Sequence, residues 1–216
     1  MKYFDCGLYE TWRQNRFKAI IRHYGEDYFQ GKTLLEVGAG NGAFGQLFAD
    51  LGADVTCYEG RSQNYWQLKE KYPTRSAKLI DLESELISDS YDIILNVGLI
   101  YHLTNFEKHL VNCMACCNEM ILETEVIDLN FEGWWCERED VANQGASVHG
   151  VGTRASMSYI EKILKEGNFT WTRPSQTHLA EMNTPPWVYD WQPQNRGLVE
   201  GVGLRAMWFC SKSTHS

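Results

Sequence analysis

The chain has 216 residues, of which 44% are hydrophobic and 22% are charged, and its formal net charge is -8. These values exclude a disordered chain and two full-sized domains, and they are typical of one well-buried domain over residues 1–216. An acidic protein with scattered Lys and Arg residues repels phosphate backbones, which disfavours nucleic acid as a partner but leaves it open. No apolar run resembles a signal peptide or a membrane span, so no membrane partner is expected.

Strand and helix patterns alternate along the first half of the chain. Residues 8–24 predict a helix that lies across the edge of a sheet, within a helical cap over residues 1–30. Buried strands are predicted at 33–37, 54–58, 77–82, 91–97 and 120–124. Helices are predicted at 43–51, 62–72, with Ser62 as its cap, and 106–117. This alternation is typical of a parallel sheet with right-handed crossovers.

The second half of the chain departs from that alternation. Residues 125–155 show no clear periodicity, and we interpret them as a long insertion that forms a lid over the substrate. Residues 156–166 predict an amphipathic helix. The strands at 169–173 and 204–212 have no crossover helix between them, so we expect them to pair antiparallel.

The seven cysteines are an odd number without the spacing of a disulfide framework, so a reducing cytoplasm is expected. Cys113, Cys116 and Cys117 lie in a predicted helix without a second pair of ligands at zinc-finger spacing. We therefore expect them to pack on a helix face and predict no metal site. The sequence leaves the oligomeric state open.

The glycines of the sequence Glu36-Val37-Gly38-Ala39-Gly40-Asn41-Gly42 follow a buried strand and open a helix. Glycines there let the backbone approach a ligand, and the helix N-terminus offers free N–H groups. Residues 40–45 also satisfy the dinucleotide pattern GxGxxG. Glu59 ends the second strand and suits the ribose of either kind of cofactor. The glycines alone leave open S-adenosylmethionine, NAD and a merely structural turn.

Polar residues at three strand ends favour S-adenosylmethionine. Glu36 would oppose a pyrophosphate, but it suits a cationic sulfonium cofactor that carries an α-ammonium group. Asp81 ends the third strand, where it can meet an adenine amino group. Asn96 ends the fourth strand in place of the small apolar residues that usually stack near a nicotinamide. An NAD-linked oxidoreductase is the minor alternative.

With these motifs the chain resembles the class I, Rossmann-type S-adenosylmethionine-dependent methyltransferases, over residues 33–124 and more loosely to residue 212. The resemblance implies a doubly wound α/β fold with a mostly parallel seven-stranded sheet in the order 3-2-1-4-5-7-6, its last strand antiparallel. It also implies S-adenosyl-L-homocysteine as the product. The cofactor contacts that it implies are Glu36, Gly38, Ala39, Gly40, Asn41, Glu59, Gly60, Arg61, Asp81, Leu82, Asn96 and Val97.

The turn after the fourth strand, residues 97–103, contains the sequence Tyr101-His102-Leu103. It resembles the corresponding turn of the tRNA wobble-uridine carboxymethyl-transfer enzymes and of related small-molecule methyltransferases. The segments at residues 189–191 and 205–208 share this likeness. The resemblance narrows the subfamily without naming a substrate.

His102 is the predicted general base. Methyl transfer needs an aligned acceptor and, where the acceptor carries a proton, a group to remove it. His102 follows the fourth strand and should face the methyl group, and its ordinary pKa suits proton transfer near neutrality. The alternative is that His102 only orders the turn.

Other polar residues are candidates for binding the substrate or the cofactor. Tyr101, Glu123, Glu125 and His149 are predicted to lie near the acceptor, because they occupy the same turn, the end of the fifth strand and the insertion. Arg13 and Arg16 on the first helix are expected to be solvated, with a contact to the cofactor carboxylate as the alternative. Tryptophans such as Trp134 and Trp135 fit either a pocket wall or the core.

These features predict a methyltransferase that acts on an O or N atom of a small-molecule acceptor. One alternative is a tRNA-modifying methyl or carboxymethyl transferase, which the turn at Tyr101 and His102 suggests. The other is a catalytically silent protein that binds S-adenosylmethionine.

Overall fold

The computed structural model describes residues 3–213. Its helices are α1 (Gly7–Tyr24), α2 (Ala43–Ala49), α3 (Ser62–Lys71), α4 (Phe106–Ala115), α5 (Met157–Glu166) and α6 (Gln176–Met182). Its strands are β1 (Thr33–Val37), β2 (Asp54–Glu59), β3 (Ser76–Leu79), β4 (Tyr91–Val97), β5 (Cys117–Glu125), β6 (Trp134–Arg138), β7 (Val151–Ala155), β8 (Phe169–Thr172), β9 (Trp187–Val188) and β10 (Gly203–Lys212). Short 3-10 turns lie at Tyr3–Asp5, Asp27–Phe29 and Ile100–His102.

The central sheet has the order β3-β2-β1-β4-β5-β10-β8. Strands β1 to β5 are parallel, and β10 runs antiparallel to both β5 and β8. Among the seven strands of this path, β8 is the sixth and β10 the seventh in chain order, so the predicted order and the antiparallel last strand are confirmed. The short β9 adds a parallel pairing beside the start of β10.

The sheet is buried on both faces by two hydrophobic cores. Successive residues of one strand enter different cores: Leu34 and Ile93 belong to one, whereas Leu35 and Ile94 belong to the other. This division follows from the alternation of side chains along a strand. It explains why β1 and β4 contain consecutive apolar residues, Leu34 and Leu35 in β1 and Ile93 to Leu95 in β4, as expected for strands covered on both faces.

Helix α1 packs on a face of the sheet, so its predicted position at the sheet edge is wrong. Trp12 and Ile20 of this helix are buried in the same core as Ile121 of β5 and Met207 of β10. A row of large apolar side chains gains more by covering strands than by lying at an edge. The carboxyl ends of the strands are thereby brought next to α1.

The insertion after β5 contains regular structure, contrary to expectation. Strands β6 and β7 pair antiparallel, with Trp134 opposite Ala155 and Arg138 opposite Val151. This hairpin could not be predicted from the sequence. Every residue of β6 is exposed, so its sequence shows no alternation of polar and apolar residues. Residues 139–150 connect the two strands, and we call them the strap.

Several predicted boundaries differ from the structure, including the following three. Helix α4 ends at Ala115 and Cys117 begins β5, so the predicted helix over 106–117 was too long. Helix α3 begins at Ser62 itself, and Arg61 occupies the capping position without a side-chain hydrogen bond. Strand β3 ends at Leu79, which leaves Asp81 in the following turn. In the part of the chain that the structure describes, no helix is long and apolar enough to cross a membrane.

Candidate active site

The turn after β1 requires glycine for two different reasons. Gly42 has φ of 74°, and a β-carbon there would lie 2.9 Å from Cγ of Leu68 on α3. Gly45, in the first turns of α2, has ordinary backbone angles, but a β-carbon there would lie 2.5 Å from Oε2 of Glu36. Because α2 approaches β1 this closely, the carboxylate of Glu36 fits beneath the helix N-terminus.

Glu36 is a buried acid beside the glycine turn. Its Oε2 accepts a hydrogen bond from the thiol of Cys57 at 3.4 Å, and its carboxylate also accepts one from the backbone N–H of Gly45. Burial raises the pKa of Glu36 to about 7, although these hydrogen bonds oppose the shift. A cation bound beside Glu36 would favour its charged form, which is the property expected of a site for a sulfonium cofactor.

Glu59 ties the end of β2 to the glycine turn. Its Oε2 accepts a hydrogen bond from the Gly40 N–H at 2.7 Å, and its Oε1 accepts one from the Arg61 N–H at 2.8 Å. Burial raises the pKa of Glu59, against the effect of these hydrogen bonds. Asn64 of α3 lies 3.4 Å from Oε1. Glu59, the acid predicted to bind the ribose, is therefore held by backbone N–H groups before and after it in the chain, those of Gly40 and Arg61.

The strap covers the end of the site that contains Glu59. Arg61 donates from its guanidinium group to the carbonyl oxygens of Val141, Ala146 and Ser147 at 3.0 to 3.1 Å. Asn64 donates to the carbonyl of Gln144 at 3.0 Å. Sequence reasoning missed Asn64, although its spacing on the helix after Glu59 is a usable signal.

His149 lies beside Asp81, the residue predicted to contact the adenine, and its predicted contact with the acceptor stays a prediction. Its Nε2 is 2.8 Å from Oδ2 of Asp81. Asp81 and Leu82 both line the pocket, as predicted. The position follows from the strap, which runs from the end of β6 across to the turn after β3 before it returns as β7.

Arg13 and Arg16 are buried and line the pocket, so their predicted solvation is wrong. Arg16 stacks over the ring of Trp12 at 3.8 Å and donates to Glu123 at 3.4 Å. Arg13 donates to the carbonyl of Phe4. With Tyr9 and Trp12 these arginines form one helical face of α1, a spacing that was available in the sequence.

The carboxyl end of β4 places Val97 in the pocket and turns Asn96 away, which corrects the prediction for Asn96. The side-chain amide of Asn96 donates to Nε2 of His109 at 3.0 Å, beneath α4. Adjacent residues of a strand point to opposite faces, so only one of this pair reaches the cofactor side. Burial lowers the pKa of His109 to about 4, consistent with a neutral ring that accepts this hydrogen bond.

Glu123 and Tyr101 belong to a buried polar network outside the pocket lining, so their predicted contact with the acceptor is corrected. Glu123 is fully buried and accepts a hydrogen bond from Tyr189 at 2.8 Å, besides the one from Arg16. Arg205 donates to the hydroxyl of Tyr101 at 3.1 Å. Because Glu123 is already engaged by protein donors, it has little capacity left for a substrate.

Glu125 lies on the insertion side of β5 and is also absent from the pocket lining, which corrects its predicted contact with the acceptor. Its Oε1 accepts from Nε of Arg154 at 3.2 Å. Arg154 of β7 also donates to the carbonyl of Tyr101 at 3.1 Å and to Glu139 at 2.8 Å. Neither Arg154 nor Glu139 carried a sequence signal, since both lie in the segment without clear periodicity.

His102 lines the pocket at the end of β4, as predicted. Burial lowers its pKa, and the neighbouring Glu139 carboxylate partly offsets that effect. The side chain is 15% exposed, so it is accessible from the pocket. A neutral imidazole at this position can accept a proton at neutral pH.

These residues surround one pocket, which encloses about 1010 Å³ of space when the part open to solvent is included. Three of its lining residues carry buried polar atoms without a protein partner, namely Arg16 Nε, Asn64 Oδ1 and Gln144 Oε1. A ligand with both donors and acceptors would satisfy them. Of the predicted cofactor contacts, the lining includes Glu36, Gly38, Ala39, Gly40, Asn41, Glu59, Gly60, Arg61, Asp81, Leu82 and Val97.

The Rossmann-like fold and the pocket at the carboxyl ends of its strands define a nucleotide-type cofactor site. A family model described as a methyltransferase domain matches residues 9–180, and the chain belongs to this family. The predicted methyltransferase activity is therefore confirmed.

The structure is also similar to the N-terminal domain of EvdMO1 with S-adenosylhomocysteine bound. The TM-score is 0.68 and the sequence identity is 14%, and the match covers 94% of this chain and 81% of that one. S-adenosylhomocysteine, bound in that neighbour, is the product expected from the predicted cofactor S-adenosylmethionine.

The curated relatives include proteins with the name tRNA U34 carboxymethyltransferase. The protein from Ruthia magnifica is 25% identical over 96% of this chain and 71% of its own length. The protein from Azotobacter vinelandii is 29% identical over 74% of this chain, but this chain spans only 53% of that protein.

Proposed function

We propose that this protein transfers the methyl group of S-adenosylmethionine to an oxygen or nitrogen atom of a compact small-molecule acceptor. One observation carries the proposal. The pocket that contains the cofactor motifs continues without a break to His102 and to apolar side chains, including Leu99, Leu103 and Trp12. An acceptor bound in this part of the pocket would lie beside the cofactor, against these apolar side chains.

The chain's own residues divide the work of binding between the two ends of the pocket. The bound cofactor would supply a methyl group activated by a cationic sulfur. Glu36 places a carboxylate near that cation, and Glu59 and Asp81 serve the ribose and adenine. The strap covers the nucleoside end through its contacts with Arg61 and Asn64.

His102 acts at the other end as the base that accepts the acceptor's proton. An alcohol or a neutral amine of the acceptor would supply the lone pair for the new bond to that methyl group, and the electron pair of the broken carbon–sulfur bond would remain on sulfur. The proton of the acceptor goes to His102, whose lowered pKa keeps the ring neutral near pH 7. Leu99 and Leu103 on the same turn provide apolar walls that exclude water from the acceptor.

The test is a pair of measurements on the purified protein. Calorimetry should detect binding of S-adenosylhomocysteine, and radiolabelled S-adenosylmethionine should transfer its methyl group to a member of a small-metabolite pool. A Glu59→Ala variant is the control, since it removes the acid that holds the glycine turn and should abolish both signals. No binding at millimolar ligand would overturn the proposal. Binding without transfer to any pool would favour the catalytically silent alternative.

A tRNA acceptor is the second candidate, and the names of the curated relatives favour it together with the turn at Tyr101 and His102. The net charge of -8 counts against it. A tRNA enzyme should retard tRNA on a gel at low salt, with affinity that falls steeply as salt rises. The absence of retardation at low salt would eliminate this candidate.

A further inference from the structure

Glu139, at the start of the strap, contacts His102. Its Oε2 is 2.6 Å from Nδ1 of His102 and also accepts the backbone N–H of Ser147 at 2.7 Å. Its Oε1 accepts from Arg154 at 2.8 Å. The Glu139 side chain is 8% exposed, so this is a buried contact and not a surface ion pair.

The surroundings of Glu139 keep it ionised. Burial acts to raise its pKa, but the hydrogen bonds from His102, Ser147 and Arg154 outweigh that effect and lower the pKa. An ionised carboxylate accepts hydrogen bonds and donates none, so Nδ1 of His102 must carry its proton. Nε2 is then the ring nitrogen with a free lone pair, on a residue that lines the pocket.

We propose that Glu139 is a positioning residue that holds His102 in the tautomer with Nδ1 protonated, so that Nε2 can accept the acceptor's proton. This inference rests on the proposed function and extends it to a residue of the insertion. The strap also bonds to Arg61 and Asn64 through its carbonyl groups. The strap would therefore both cover the cofactor and orient the base, His102.

The packing around Glu139 allows its contact with His102 because a glycine lies next to it, at position 152. A β-carbon on Gly152 would overlap both Glu139 Oε1 and the carbonyl oxygen of Tyr101, so glycine lets β7 approach the turn that carries His102. The charged groups that face His102 are Glu139, Arg154 of β7 and Arg205 of β10. Both arginines favour the neutral ring, and Glu139 alone among the three favours the protonated one.

The test compares Glu139→Gln with Glu137→Gln. Each group that contacts the carboxylate of Glu139 donates a hydrogen bond to it. The side-chain amide of a glutamine has an NH₂ group that must face one of these donors. The hydrogen bond between residue 139 and His102 is therefore weakened. Glu137 is the matched control, because it lies on the same hairpin and 3.3 Å from Nε of Arg154, but 45% exposed. Both variants should keep a native circular dichroism spectrum and bind S-adenosylhomocysteine.

Nitrogen-15 NMR of the histidine rings reports the tautomer and the pKa of His102, with His102→Asn used to assign its signals. In the wild type and in Glu137→Gln we expect the tautomer protonated at Nδ1. In Glu139→Gln we expect a mixture of tautomers and a pKa lower by about one unit, because a carboxylate that favours the charged ring is lost. Unchanged ring signals in Glu139→Gln would overturn the inference.

Kinetics separate this inference from the proposed function. We expect Glu139→Gln to lower kcat about 10- to 100-fold and to shift the acid limb of the pH profile to lower pH, whereas Glu139→Asp should recover part of the rate. A fall in kcat with an unmoved acid limb would mean a merely structural role and contradict the inference. If no acceptor is methylated at all, the proposed function fails, and the NMR result still decides whether Glu139 sets the tautomer.

Discussion

Gly45 of α2 packs directly against the carboxylate of Glu36 across the first strand–helix turn. A β-carbon at position 45 would come within 2.5 Å of Oε2 of Glu36, and the backbone N–H of Gly45 donates to the same carboxylate. This contact lets a buried acid lie under the N-terminus of α2. It also gives the last glycine of the sequence Gly40-Asn41-Gly42-Ala43-Phe44-Gly45 a role in positioning Glu36.

Gly45→Ala should therefore weaken cofactor binding at least about tenfold, which corresponds to about 1.4 kcal/mol. The added methyl group forces Glu36 or α2 to move, although alanine is intrinsically the better helix former by about 1 kcal/mol. Gly7→Ala is the control, since a β-carbon on Gly7 in α1 meets nothing within 4 Å. Calorimetry with S-adenosylhomocysteine measures the effect, and equal affinities of the two variants would contradict it.

Glu36→Gln should stabilise the ligand-free protein, and more so as the pH rises. The pKa of Glu36 is raised from 4.5 to about 7, so its stabilising contribution is complete below pH 4.5 and is lost as pH rises through 7. The glutamine variant avoids that loss, which amounts to about 3 kcal/mol at pH 8. Urea unfolding at pH 5 and pH 8 measures it. The same variant should bind the cofactor more weakly, and a stability gain that does not depend on pH would refute the assignment.

His109 should make the protein lose stability in mild acid. Burial lowers its pKa from 6.5 to about 4, so the unfolded chain takes up a proton that the folded state excludes. Stability attributable to this ring is fully present above pH 6.5 and falls as the pH drops toward 4, by about 3 kcal/mol in total. In His109→Gln, where the amide oxygen can still accept from Asn96, the loss of stability between pH 7 and pH 4.5 should be smaller by about 2 kcal/mol. Parallel stability curves for the two proteins would contradict this.

Arg61→Lys should loosen the strap. An ammonium group cannot replace a guanidinium group that donates to the carbonyls of Val141, Ala146 and Ser147 at once. We expect faster cleavage within residues 139–150 by a protease, and less protection on adding S-adenosylhomocysteine. Arg22→Lys is the matched control, because Arg22 pairs with Glu181 on the surface. Equal cleavage rates in both variants would show that Arg61 does not hold the strap.

Much of the fold and most of the cofactor site were predictable from the sequence. The alternation of apolar strands with helices indicated the parallel sheet, and the acids Glu36, Glu59 and Asp81 occur at or just after the ends of β1, β2 and β3. The carboxyl ends of parallel strands meet at one edge of the sheet, so a linear pattern was sufficient to bring these residues together. The β6–β7 hairpin was not predictable, because its exposed strand carries no periodic signal.

The amino-acid sequence by itself determined the alternation of strands with helices and the glycine turn with its acids, because these depend on residues that are near neighbours along the chain. The order of the strands in the sheet was expected only from the resemblance to the class I methyltransferases. Only the tertiary structure decided that Val97 and not Asn96 faces the pocket, and that Arg16 is buried there. It alone joined His102 to Glu139, which is 37 positions further along. Such contacts depend on how the insertion folds back across the sheet, and packing between distant segments leaves no periodicity in the sequence.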